Sequence, residues 1–153
     1  MKNMLNRIVI IAMAIMYSSY IYSQAVSYRV LITEATSSAN VSIEMIVYGK
    51  SKKTIDHDAQ CAALRVVLFD GCPNTPYSKA LLEDGEATSS EKFPQYFESL
   101  YSARFPDFIS FCEASSAFKK GDKNKGTKYK VEVKVLNLRK DLEENHIRRK
   151  IGL

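Results

Sequence analysis

Apolar and polar residues alternate along two stretches of the chain and recur at helical spacing along two others. In residues 41–48, Val41, Ile43, Met45 and Val47 share one side, Ser42 and Glu44 the other, and Gly49 closes the run. Period two over that length predicts a half-buried strand. Residues 27–33 are β-rich and run into the small polar tract 34–40, so these two runs are expected to form an antiparallel hairpin. Residues 128–136 alternate most clearly, with Tyr129, Val131, Val133 and Val135 against Lys128, Lys130, Glu132 and Lys134. One dry and one wet face is the signature of an antiparallel sheet. A weaker strand is expected over residues 109–118.

The helical patterns differ in kind. Residues 58–69 are apolar nearly all round, interrupted by Gln60 and Arg65, which predicts a helix buried on most sides at the centre of the core. Thr54 or Asp56 can cap its start, and Asp70-Gly71-Cys72-Pro73 stops it. Residues 74–90 read as a surface excursion. Residues 91–101 predict a second helix with Pro94 in its first turn. A last helix over 138–150, capped by Asn137, carries Leu138, Leu142 and Ile151 on one stripe. Arg139–Glu143 and Glu144–Arg148 in it are spaced to pair. The expected order is β-β-α-(α)-β-β-α: an α+β fold, an antiparallel sheet of about four strands with helices packed on one face.

Composition and charge add the cellular setting. Lys2 and Arg7 precede the unbroken apolar run 8–16, and Ser23-Gln24-Ala25 offers small residues where a signal peptidase cuts. The apolar run is too short for hydrocarbon, which takes about 20 residues to cross. Residues 1–25 are therefore expected to be a cleaved signal peptide and 26–153 a single α+β domain, exported to the periplasm or beyond with no stable membrane span. No cysteine precedes Cys61, so no lipid anchor is expected there. The formal charge is +5, of which Lys2 and Arg7 leave with the signal. The remainder is too mild and too dispersed for a nucleic-acid footprint.

Candidate chemistry is sparse. His57 and Cys61 are four apart on a helix, flanked by Asp56 and Asp58, but a zinc site needs at least three ligands, so no metal or cofactor is expected. No nucleophile elbow, zinc-protease motif or phosphate loop occurs, and no catalytic residue is assigned. Three cysteines allow one internal disulfide at most. Cys61 and Cys72 at opposite ends of one helix would lie about 15 Å apart, too far to bridge. Cys72–Cys112 stays open beside three free thiols; its loop would add roughly 4 kcal/mol. Phe93, Tyr96, Phe97 and Tyr101 sit in a dense aromatic stretch, which serves either as core or as a groove for a partner. The lysines of the last strand, with Lys119, Lys120, Lys123 and Lys125, protect an edge or meet an anionic envelope polymer.

The run from Ala59 through Gly71, Tyr96-Phe97 and the ending Leu138-Arg-Lys-Asp-Leu-Glu with Ile147 resembles small exported bacterial envelope proteins. The alanine-rich helix after a β-hairpin is similar, more loosely, to the small domains of envelope lipoproteins and of flagellar assembly protein T. The resemblance implies an envelope α+β module and carries over no functional residue. The expected function is a periplasmic or envelope module that binds a protein or polymer partner without catalysis. The alternative is a small thiol-dependent or hydrolytic enzyme using Cys72 or Cys112 with His57 or His146.

Overall fold

A computed structural model of the chain describes residues 26–49, 51–117 and 126–149. The expected signal peptide, Lys119, Lys120, Lys123, Lys125 and Ile151 lie outside these residues. Four strands form one antiparallel sheet: β1 (Ser27–Ala35), β2 (Asn40–Tyr48), β3 (Ile109–Ala114) and β4 (Thr127–Lys134), in the spatial order β1-β2-β4-β3. The α+β expectation holds. Both edge strands carry an irregularity, between Val30 and Ile32 in β1 and between Ile109 and Phe111 in β3. Bulges of this kind twist an edge away from further pairing.

The alternation seen in the sequence becomes the two faces of the sheet. Val41, Ile43, Met45 and Val47 of β2 and Val131 and Val133 of β4 are fully enclosed on the inner face. Against them lies α1 (Ile55–Arg65), whose Ala59, Ala62 and Ala63 are also fully enclosed. Small side chains here let the helix axis come close to the strands, while Leu64, Val67 and Leu68 fill the space beyond. Thr54 takes the N-cap position without a side-chain hydrogen bond. α1 widens into a π-turn at Val66–Asp70, closed by the Gly71 N–H on the Val66 carbonyl at 2.7 Å.

The widened turn leaves the Val67 and Leu68 carbonyls for the chain that follows. They accept from the Leu81 and Leu82 N–H groups at 3.1 and 2.9 Å. The expected surface excursion is thus pinned down in its middle, where Leu81 and Leu82 are buried. Its Gly/Ser/Thr tract contributes a helix, α2 (Glu86–Lys92). The helix expected over 91–101 is broken at Phe93 (φ −132, ψ 56), and α3 (Pro94–Ser99) starts afresh. Proline disfavours helical backbone in the residue before it and has no N–H to continue a preceding ladder, so it opens a helix here instead of sitting inside one. A second π-turn (Leu100–Arg104) and a 3-10 turn (Phe105–Phe108) lead into β3.

The last helix also departs from expectation. α4 (Val135–Glu144) begins two residues before the anticipated Asn137 cap and ends well short of Lys150. Val135 is enclosed whether strand or helix, so alternation could not mark the turn; Leu136, exposed, bonds its N–H to the Ala39 carbonyl at 3.2 Å. Leu138 and Leu142 are enclosed, as their stripe required. Arg139 pairs with Glu143 at 3.0 Å, but Glu144 meets Lys140 and not Arg148. The helix has stopped there: His146 is left-handed (φ 58), and the Ile147 and His146 N–H groups return to the Leu142 and Glu143 carbonyls. This is a Schellman termination with histidine in the place glycine usually holds.

Gly71 is a position where the fold depends on glycine. Its φ is +81, and an added Cβ would meet the Ser78 carbonyl oxygen at 2.4 Å and the Ala80 nitrogen at 2.9 Å. Gly71→Ala is expected to destabilise the domain by more than the ~1 kcal/mol of left-handed strain alone, since backbone must also move. Urea denaturation against Gly85→Ala, where an added Cβ meets nothing within 4 Å, measures the difference.

Candidate functional site

One face of α1 carries His57, Cys61 and Arg65 at successive four-residue steps, which stacks them in a row. All three converge on Tyr101 in the second π-turn. The His57 Nε2–H donates to the Tyr101 carbonyl at 2.7 Å, and the Cys61 thiol donates to the same oxygen at 3.6 Å. The Arg65 guanidinium lies over the Tyr101 ring, 4.6 Å from its centroid. Five residues beyond Tyr101, where a π-turn would supply an N–H, stands Pro106, which has none. The free carbonyl is met by the imidazole instead. Phe105 adds an edge-to-face contact to the His57 ring at 4.7 Å.

This geometry decides what the pair His57–Cys61 can do. The sulfur is 3.5 Å from Nε2, yet a carbonyl only accepts, so Nε2 must carry its hydrogen toward Tyr101. That nitrogen has no lone pair for the thiol proton, and the ring's free lone pair, on Nδ1, stands 4.0 Å from the sulfur, longer than the Nε2 approach. Burial pushes the Cys61 thiol up to about 12, with Arg65 drawing it down and Asp58 adding to the rise. The row is a clamp on the π-turn, not a thiolate–imidazolium couple.

The thiols expected as alternatives are elsewhere. Cys72 is enclosed and Cys112 half-buried, both free; burial raises each to about 11, with Asp70 and Asp56 respectively adding to it. The thiol placed beside an imidazole is Cys61, not Cys72 or Cys112. Cys72 stays near β1, because the Thr33 hydroxyl of that strand donates to the Pro73 carbonyl at 2.5 Å. Cys112 sits in β3, at the opposite edge. Three strand spacings separate those edges, about 14 Å, and a disulfide tolerates about 7 Å between Cα atoms. In this structure Cys72 and Cys112 are held apart as free thiols.

Three of the four aromatics, Tyr96, Phe97 and Tyr101, form a packed row with Phe69, and Phe93 packs on the core without a ring partner among the described residues. Phe97 meets Tyr96 edge-to-face at 5.3 Å, and Phe69 and Tyr101 at 6.0 and 6.1 Å. Phe97 and Tyr101 are buried, Phe93 and Tyr96 half-buried. Tyr96 donates to Asp141 of α4 at 2.7 Å, and Arg104 pairs with the same carboxylate, so the row ties α3 to α4. Tyr129 likewise donates to Asp56, and Tyr28 to Asp70 at 3.1 Å. Burial first, then the adjoining carboxylate, pushes these three phenols well above their ordinary value.

Arg65 and Tyr101 were missed as a unit, though Arg65 was visible as the one cation inside an otherwise apolar helix. Arg65 donates from Nε to Glu86 at 2.7 Å, with its side chain 11% exposed. Its Nη1 and the Tyr101 hydroxyl are buried without a hydrogen-bond partner. Among the described residues, no group of three or more His, Cys, Asp or Glu side chains could hold a metal ion. No helix among them is long and apolar enough to cross a membrane. In comparisons with known proteins, no family model, no curated protein and no solved structure matches the chain.

Two outcomes follow from these contacts. Tyr101→Phe removes a buried hydroxyl that has no partner while keeping the ring under Arg65. Its stability is expected within about 0.5 kcal/mol of the parent or above it, whereas Arg65→Ala loses about 1–3 kcal/mol; guanidinium denaturation compares them. The Cys61 thiol is favoured neutral in the folded state, so its contribution is complete below its ordinary value of 9.0 and is lost as pH rises toward about 12. The share of the melting temperature owed to this thiol should accordingly be constant up to about pH 9 and fall above it. A Cys61→Ala variant should lose part of that alkaline slope.

Proposed function

We propose that the chain is an exported envelope module that binds a protein partner through the outer face of its sheet, without catalysis. The observation that carries this reading is the composition of that face. The strand register sets Arg29, Ile46 and Lys128 in one row, and Ile32, Glu44, Lys130 and Glu113 in the next. Glu34, Ser42, Glu132 and Phe111 form a third. α1 lies on the other side. Ile32 and Phe111 are 48% and 44% exposed, set among charges of both signs.

The charge pattern favours a protein over an anionic polymer. Among the described residues of this face, Arg29, Lys128, Lys130 and Lys134 are matched by Glu34, Glu44, Glu113 and Glu132. Lys128 is also paired with Glu44 at 2.8 Å, which holds the Glu44 carboxyl below its ordinary value. A polyanion is attracted by a surface of one sign, and this one is balanced. Apolar side chains ringed by both charges suit a protein surface of complementary pattern. Export rests on the signal-like residues 1–25, and the absence of catalysis on the engaged His57 and the neutral thiols. The likeness to envelope modules noted in the sequence points the same way.

Photo-crosslinking in the native host tests the reading. With p-benzoylphenylalanine at Ile32 or Phe111, irradiation is expected to give one discrete adduct whose bait lacks residues 1–25. The same group at Lys140, on the exposed side of α4, should give none. Equal adducts from all three positions, none from the sheet positions, or a bait that keeps its first 25 residues would sink it.

A further inference from the structure

We propose that Arg65 and Tyr101 form a carboxylate-binding site that α2 keeps closed by inserting Glu86 as an internal substitute for the ligand. The site lies on the helical layer and does not depend on the sheet-face reading. Glu86 offers one oxygen to Arg65 Nε, at 2.7 Å. That single bond leaves two polar atoms unmet, Arg65 Nη1 and the hydroxyl of the ring on which the guanidinium lies, both buried. An N–H of a guanidinium and an O–H of a phenol ask for the same thing, an anionic oxygen. A carboxylate held in plane with the guanidinium supplies two, one for the fork and one that can also accept from the phenol. The internal partner satisfies the site in part; an external carboxylate satisfies it in full.

The element that carries Glu86 is held lightly. Within α2 the one buried side chain is Ser89, while Ala87, Thr88, Glu91 and Lys92 face solvent. Its other bonds are local: Lys92 pairs with Asp84 at 2.6 Å, and the Ser89 hydroxyl donates to the Asp84 carbonyl at 3.2 Å. The Arg65–Glu86 pair is thus its polar tie to α1. The segment is bounded by two non-helical residues, Gly85 (φ −63, ψ 166) and Phe93 (φ −132, ψ 56), where a swing can be taken up. Opening leaves Arg65 in place, since its guanidinium stays stacked on the Tyr101 ring. Asp70 and Tyr28 stand at the rim, bonded to each other at 3.1 Å.

The test is titration of the folded domain with sodium acetate against sodium chloride at matched ionic strength, followed by the NMR signal of the Arg65 side-chain N–H. Glu86→Gln removes the internal charge while keeping the shape of α2. It is expected to bind acetate about tenfold more tightly than the parent, the effect of removing one charge-assisted competitor. Adding Tyr101→Phe should return most of that gain. Two short peptides separate the sources of the group: one ending in a free α-carboxylate, the other amidated at its end with an internal glutamate. The one that binds Glu86→Gln more tightly names the kind of segment the site takes. Acetate affinity equal in parent and Glu86→Gln, no saturable shift in either, or a shift reproduced by chloride would overturn the proposal. Amide exchange of residues 86–92 gives a second reading, expected to be faster than in α1 and faster still in Glu86→Gln. Exchange as slow as in α1 would also overturn it.

Discussion

Ala59, Ala62 and Ala63 bring α1 close to β2 and β4, and that approach fixes where everything else in the helical layer can lie. A bulkier side chain at any of them would hold the helix off the strands and open space beside Ile43, Met45 and Val131, all fully enclosed. Voids of that kind lose both burial and contact energy, about 1 kcal/mol or more for each methyl-sized gap. With the helix seated so low, its other side meets the second π-turn through Tyr101 and the 3-10 turn, while α4 packs on β2 and that same 3-10 turn. Phe97, Leu100, Leu138 and Leu142 are buried within this outer layer. The protein is in effect a sheet, one buried helix and a lid of shorter pieces.

The short pieces are held by polar contacts as much as by apolar ones. A chain without tryptophan covers its core in part with tyrosines, Tyr28, Tyr96, Tyr101 and Tyr129 among them, whose rings each bring a hydroxyl needing a partner. Tyr28, Tyr96 and Tyr129 find theirs in Asp70, Asp141 and Asp56, so each ring that adds cover also links two elements distant in sequence. Tyr101 has the ring without the partner. A buried hydroxyl left unmet costs about 1–3 kcal/mol, and a cost of that size at one spot directs attention to what the spot is for.

Both π-turns fall at the ends of helices, and each frees backbone carbonyls that a regular helix would use. The first gives Val67 and Leu68 to the segment carrying Leu81 and Leu82, and the second gives Tyr101 to His57. Long irregular connections thereby acquire the regular hydrogen bonding that they lack by themselves. The same device sets Arg65, the last residue of α1, against Tyr101, within the second turn.

Period-two alternation in residues 41–48 and 128–134 was sufficient for the strands, because a sheet covered on one face demands that pattern and little else produces it. The all-round apolar run told of a buried helix for the same reason, and the leucine stripe of α4 told which side would be covered. The points where elements end were less legible. Val135 is enclosed in either conformation, Phe93 gives way to the proline after it, and the polar tract 85–90 turned helical without any periodicity to announce it. The candidate site was legible only as fragments: a histidine and a cysteine four apart, one arginine in an apolar run, a crowd of aromatics. Which of these meet depends on two π-turns set by backbone bonding between segments far apart in sequence, a choice made by tertiary packing. The sequence by itself determined the faces and the layers; the fold decided that Cys61 and not Cys72 would meet a histidine, and that Arg65 would rest on Tyr101 under Glu86.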